Sequence, residues 1–123
     1  MILNIEISET PLELERGLMY RKKLAEDAGM LFVFKKPQKL NFWGSSTYIP
    51  LDIAFIDKDN KISKLSKIDA LSLKTISSDG ECVMALETNR GFFDKYNITE
   101  GFQFHFDKIY GDNKGMGYFN KDM

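Results

Sequence analysis

The feature that most constrains the fold is a series of short apolar runs, each of strand length and each ended by turn-forming residues. Apolar and polar residues alternate at the N-terminus, in the sequence MILNIEIS. Continuous apolar runs follow at residues 29–34 and 51–56, and alternation returns at 81–87 and 102–106. Alternation with a period of two is typical of a strand with one buried face, whereas a short continuous run is typical of a fully buried strand. These segments predict strands joined by tight turns.

Helix signals are few. The segment Thr10-Pro11-Leu12-Glu13 has the residues of a capping box, with proline at the first helical position, and Gly17 follows within two turns. A short helix is therefore expected there, and a second one around residues 91–96. Many short strands with one or two short helices predict a mainly β fold, either a compact β-sandwich of jelly-roll type or a distorted barrel.

Length and composition indicate a single domain. The chain has 123 residues, of which 43% are hydrophobic and 13% aromatic, so it can bury one core without disulfides. We predict one β-rich domain over residues 1–110. The remaining segment, 111–123, is polar and glycine-rich, and we expect it to be a frayed C-terminal tail.

Charge and cysteine content argue against several classes of protein. Lys and Arg total 17 and Asp and Glu total 18, which is not the basic excess that nucleic-acid binding requires. One cysteine, Cys82, and one histidine, His105, form neither a disulfide nor a Cys/His zinc site, and no cofactor or metal is predicted. No apolar run is long enough for a membrane span, and no signal sequence is evident. We expect a soluble cytoplasmic protein, although the sequence is also compatible with a trimmed exported form; its oligomeric state stays open.

Several motifs carry a resemblance to a known family. They are Gly17-Leu18-Met19-Tyr20-Arg21, Gly29-Met30-Leu31-Phe32-Val33-Phe34, Phe42-Trp43 and the run from Thr47 to Asp57, followed by Leu86-Glu87, Gly91, Ile98 and Gly101. In this order, and up to about Phe106, the chain resembles the uncharacterised family numbered 192 in the domain-of-unknown-function series. The resemblance implies a compact mainly β domain and no established reaction. Where the family has Met-Lys-Asn before the threonine, this chain has Gly44-Ser45-Ser46, which leaves open whether a binding function is lost or altered.

Three charged residues at predicted strand ends or tight junctions, Arg21, Asp52 and Glu87, form one candidate site. Two carboxyl groups in different environments can divide the roles of general acid and general base, with the arginine as a charge partner. That arrangement would suit an enzyme of hydrolase or isomerase type. The same residues are also expected in a buried structural network, in which an arginine fork satisfies two carboxylates. We favour the structural interpretation.

The segment from residue 43 to residue 52 is the second candidate. Gly44 permits a backbone geometry closed to other residues, and the turn that follows offers hydroxyl and amide groups between two aromatic side chains. An ordinary loop has the same composition. We predict a non-catalytic binding module for a small polar ligand or a protein partner, with the acid/base enzyme and an accessory protein–protein interaction domain as alternatives. The predicted binding residues are Arg21, Trp43, Ser45, Ser46, Thr47, Asp52 and Glu87.

Overall fold

The computed structural model describes residues 1–109 and 112–121. Strands dominate them, so the mainly β prediction is confirmed, as are the two short helices. In chain order the elements are β1 (Ile2–Ser8), α1 (Pro11–Arg16), β2 (Ala28–Phe42), β3 (Leu51–Ile56), β4 (Ile62–Ile68), β5 (Ile76–Asn89), α2 (Phe92–Lys95), β6 (Gln103–Lys108) and β7 (Lys114–Asn120).

These seven strands belong to one sheet, in the order β4-β3-β5-β2-β1-β7-β6. β1 and β2 are parallel, and the other neighbouring strands are antiparallel. The sheet curls into a half-barrel whose two ends approach each other: Lys61 bridges to Gln103, and the Ile62 amide donates to the Phe102 carbonyl at 2.9 Å. Because a single sheet curls on itself, the distorted barrel is the nearer of the two predicted architectures.

The central strands are buried on both faces. One core cluster draws on strands from both ends of the sheet, including Ile62 of β4 and Phe104 of β6, so it fills the inside of the curl. A second cluster covers the outer face of β2, β3 and β5, and it includes Phe32, Phe55 and Leu18. All six residues of β3 are buried. This two-sided burial explains why β3 appears in the sequence as a continuous apolar run.

Helix α1 begins with the predicted capping box. The Thr10 hydroxyl accepts a hydrogen bond from the Glu13 amide at 3.2 Å, and the Glu13 carboxylate accepts one from the Thr10 amide at 3.0 Å. The helix ends at Gly17, which has a φ of +50° and lies against the ring of Phe32. α1 buries none of its own residues. Its contribution is to bring the segment after it over the outer face of the sheet.

The segment predicted to be a frayed tail contains a strand, and that prediction is wrong for residues 114–120. They form β7, which pairs with both β1 and β6. Glycine permits this packing, since a Cβ at Gly117 would lie 2.8 Å from the ring of Phe104. The glycines that suggested fraying instead allow a close approach inside a strand. Residues 110, 111, 122 and 123 of the predicted boundary and tail lie outside the described residues.

Candidate functional site

Glu87 lies near the end of β5, in the middle of the sheet. Its neighbours across the sheet are Met30 of β2 and Ile53 of β3, so its carboxyl group emerges on the outer face among apolar side chains. Its exposed fraction is 4%, and no residue in the described part of the chain hydrogen-bonds to it or forms an ion pair with it. Burial raises the pKa of Glu87 from 4.5 to about 8. Near neutral pH this side chain is therefore mostly a neutral carboxylic acid.

The Glu87 side chain lines a cavity of about 320 Å³ on the outer face, here called the Glu87 cavity. Its apolar walls are largely aromatic, and two of the rings, Phe32 and Phe42, pack edge to face with centroids 5.0 Å apart. Apolar walls with a few polar groups are typical of ligand sites, and this volume is at the small end of their range. The lining consists of Leu14, Glu15, Arg16, Gly17, Leu18, Met19, Phe32, Phe34, Asn41, Phe42, Trp43, Ser45, Thr47 and Glu87.

Two segments that contribute to the lining of the Glu87 cavity, residues 17–20 and 43–47, are joined by a backbone hydrogen bond. The Tyr20 amide donates to the Ser46 carbonyl at 2.7 Å. Both residues adopt the left-handed conformation, with φ of +67° at Tyr20 and +56° at Ser46. This conformation costs a residue other than glycine about 1 kcal/mol or more, and it is found more often near functional sites. Ser46 thus contributes its backbone, which fixes two walls of the cavity.

Gly44 is required for close packing and not for an unusual backbone angle, contrary to our expectation. A Cβ at this position would overlap the backbone carbonyl of Asp69. The Gly44 amide donates to the Ser72 carbonyl at 2.8 Å, and the Leu71 amide donates to the Thr47 carbonyl at 2.9 Å. The turn is therefore anchored on the loop at residues 69–72, and part of its hydrogen-bonding capacity is used within the fold.

Asp52 lies on the opposite face of the sheet from Glu87. It pairs in register with Thr88, and side chains alternate between faces along a strand. One carboxylate oxygen accepts a hydrogen bond from the Gly91 amide at 3.0 Å, and the other lies 3.8 Å from Nε of Arg90. Burial is the largest effect on the Asp52 carboxyl and raises its pKa. These contacts fasten the start of α2 to β3, which is a structural role.

Arg21 pairs with a different carboxylate. Its two terminal nitrogens donate to the two carboxylate oxygens of Glu6, at 2.5 and 2.7 Å. This hydrogen bonding by Arg21 lowers the pKa of Glu6. The pair is about two fifths exposed and lines a neighbouring cavity of about 490 Å³. The structure therefore does not bring Arg21, Asp52 and Glu87 together, and the predicted acid/base pair with its arginine partner is not formed.

The structure does bring together four of the residues that the sequence singled out. Trp43, Ser45, Thr47 and Glu87 line the same cavity. Sequence analysis missed three further polar residues of the lining, Glu15, Arg16 and Asn41, and it missed the phenylalanine rings. Phenylalanine at alternate positions of an apolar run is the signal that could have indicated a shared face.

Within residues 1–109 and 112–121, no three His, Cys, Asp or Glu side chains are grouped so as to hold a metal ion.

The fold and site define a class of protein: a small mainly β domain, curled into a half-barrel, with an aromatic cavity over a buried carboxyl group. The chain belongs to the family DUF192, whose model, described as "Uncharacterized ACR", matches residues 1–106. The resemblance inferred from the motifs is thereby confirmed. No helix in the described ranges has the length and apolar character needed to cross a membrane.

Two solved structures are similar to this chain over most of its length. One is a protein of Sinorhizobium meliloti 1021 described as a "putative transcription regulator"; it is 29% identical, with a TM-score of 0.78, over 93% of this chain and 80% of that one. The other is a protein of unknown function from Novosphingobium aromaticivorans DSM 12444, 26% identical, with a TM-score of 0.76, over 91% and 72% of the two chains. No curated protein is significantly similar in sequence.

Proposed function

We propose that this protein binds a small ligand in the Glu87 cavity. The observation that carries the proposal is the burial of the Glu87 carboxyl, which opens into the cavity with no partner among the described residues. An ionisable group buried without a partner destabilises a fold by several kcal/mol when it is charged. Proteins retain such groups where function requires them, and strongly shifted pKa values cluster at functional sites.

The position of the sequence motifs supports the same site. Five of the motifs that carry the family resemblance contribute to the lining, through Gly17-Leu18-Met19, Phe32 and Phe34, Phe42-Trp43, Thr47 and Glu87. They come from distant parts of the chain and meet on one face of the sheet. The proposed site thus keeps four of the predicted binding residues and leaves out Arg21, Ser46 and Asp52.

Binding accounts for this cavity better than acid/base catalysis does. A neutral carboxylic acid can hold a ligand by donating one hydrogen bond and accepting another. Acid/base catalysis of the predicted kind needs a second group within reach of the same substrate. The other charged lining residues in the described part of the chain, Glu15 and Arg16, are both exposed. The cavity therefore offers one buried ionisable group and not a pair.

Nucleic-acid binding is the activity that the description of the Sinorhizobium protein would suggest. Recognition of phosphates requires a surplus of lysine and arginine on one surface. This chain has 17 basic and 18 acidic residues, so the charge balance does not favour it. A small ligand in the Glu87 cavity remains the function that we propose.

A ligand screen by thermal unfolding tests the proposal. Small amines, amides, carboxylic acids, sugars and nucleosides are added separately to the wild type and to Ser45→Trp, which places a large side chain in the cavity wall. A ligand at one hundred times its Kd stabilises a protein by about 2.7 kcal/mol, which raises Tm by several degrees for a domain of this size. We expect at least one class to raise the Tm of the wild type and not that of the variant.

Gly80→Ala is the matched control, because a Cβ at this exposed position of β5 meets nothing within 4 Å. It should respond to ligands as the wild type does. Equal stabilisation of the wild type and of Ser45→Trp would place the binding site elsewhere. If no class of ligand stabilises the wild type, the proposal is refuted.

A further inference from the structure

The geometry points to a small organic cation as the ligand, an alkylammonium whose charged end pairs with the Glu87 carboxylate while its apolar part contacts the aromatic walls. This inference rests on the proposed function, because it names the class of ligand for the same cavity. Three features support it: the Glu87 carboxyl group at the bottom of the cavity (its floor), which has no partner among the described residues; the aromatic lining; and the distribution of the other charges on this face.

The floor of the cavity lacks a counter-charge. The residues beside Glu87 on the adjacent strands, Met30 and Ile53, are both apolar, and no described basic side chain reaches the carboxyl. An ionised carboxylate in such a setting is strongly disfavoured until a cation arrives. A bound ammonium would supply both the opposite charge and the hydrogen-bond donors that the protein does not provide.

The walls suit a cation with an apolar body. Phe42 packs edge to face on Phe32 and on Phe34, with centroids 5.0 and 6.5 Å apart, and Trp43 follows directly in the chain. Aromatic faces carry negative electrostatic potential and attract ammonium groups, most strongly where water is excluded. The same rings provide apolar surface for an alkyl chain.

The other charged groups on this face lie farther out. Glu15 and Arg16 are exposed residues of the lining. Glu6, which lies on β1 beside Met30, is already paired with the Arg21 guanidinium. An anionic ligand would find no free buried cation in these described elements, and it would approach the carboxyl group of Glu87. A neutral amide could hydrogen-bond to the protonated acid, which makes it the main competing ligand class.

Binding of an ammonium should release a proton. The free protein holds a proton on Glu87 up to about pH 8. When the ammonium binds, the O–H bond of the carboxyl group breaks, its proton passes to solvent, and a carboxylate–ammonium pair remains. Affinity should therefore rise about tenfold per pH unit between about pH 5 and 8 and then level off, because an alkylammonium keeps its charge to about pH 10.

Calorimetric titration with n-hexylamine, hexanamide and hexanoate at pH 6, 7 and 8 tests the inference. We expect hexylamine to bind the wild type with a Kd that falls about tenfold from pH 6 to 7 and about fivefold from pH 7 to 8. Binding should release about one proton at pH 6, measured in two buffers of different ionisation enthalpy. Glu87→Gln should lose this binding. Glu81→Gln, which removes an exposed carboxylate from the same strand but outside the cavity lining, should keep it.

The outcomes separate this inference from the proposed function. If hexanamide or hexanoate binds the wild type and hexylamine does not, the cavity is a ligand site but the ligand is not a cation. Equal hexylamine binding by the wild type and Glu87→Gln would also overturn the inference. If none of the three binds and the wider screen finds no ligand either, the proposed function fails with it.

Discussion

Glu87 should make the protein less stable as the pH rises, and Glu87→Gln should remove this effect. The pKa of Glu87 is about 8 in the folded protein and 4.5 as an ordinary glutamate. Between these values the folded state keeps a proton that the unfolded state has released, so the free energy of unfolding falls with pH. At 1.36 kcal/mol per unit, the interval from 4.5 to about 8 corresponds to a loss of about 5 kcal/mol. Below pH 4.5 both states are protonated and the loss is absent.

Urea denaturation at pH 5, 6, 7 and 8 measures this effect directly. Glutamine has nearly the same shape as protonated glutamate and does not ionise, so the stabilities of variant and wild type should be close at pH 5. Their difference should then grow by about 1.4 kcal/mol per pH unit, to about 3 kcal/mol at pH 7. That is a rise in Tm on the order of ten degrees for the variant.

Glu81→Gln is the matched control on the same strand. The Glu81 side chain is exposed, so this substitution changes no buried group. The stability of Glu81→Gln should therefore follow that of the wild type at every pH. Subtracting the wild-type curve from that of Glu87→Gln cancels the other titrating groups. A difference that does not change with pH would refute the reasoning, because Glu87 would then have a counter-charge, and the argument for an unpartnered floor would fall with it.

Three further substitutions test the surroundings of the site by thermal unfolding. Arg90→Met removes a guanidinium that bonds two backbone carbonyls and Asp69, and it should destabilise the fold by about 2–4 kcal/mol; an unchanged Tm would contradict the structural role. Gly44→Ala should lower Tm clearly, since its methyl group would overlap a carbonyl, whereas Gly80→Ala should not. Arg21→Gln breaks a half-exposed ion pair and should cost about 1 kcal/mol or less; a loss of several would indicate a buried network.

Local features of the fold could be predicted from the sequence because their causes are local. The capping box of Thr10 and Glu13 depends on residues three apart, and the apolar run at 51–56 directly reflects a strand buried on both faces. β7 could not be predicted in the same way. The segment around Gly117 has the composition of a flexible tail, but the role of Gly117 depends on its contact with the ring of Phe104 in another strand. A contact between distant segments leaves no pattern in either one.

The candidate site was only partly predictable, for a related reason. Asp52 lies in the run at 51–56 and Glu87 ends the run at 81–87, and neither pattern shows which carboxyl group faces the cavity. The register of β3 against β5 decides between them: Asp52 lies opposite Thr88, one residue beyond Glu87, so the two carboxyl groups point to opposite faces. The arginine was misassigned in the same way, since Arg90 and not Arg21 lies beside Asp52.

The position of the cavity follows from how the outer face is covered. A curled sheet that buries both faces of its central strands needs a second layer outside, and here connecting segments at residues 17–19 and 43–47 provide part of it. These segments are held together by the backbone hydrogen bond between Tyr20 and Ser46, and they do not fill that layer as closely as a packed sheet would. The space that remains above β5 is the Glu87 cavity. Burial alone would favour an apolar residue at the bottom of this gap, as at Met30 and Ile53 beside it. The chain has Glu87 there, which lowers the free energy of unfolding above pH 4.5. A ligand that binds the folded protein at this site can offset that loss.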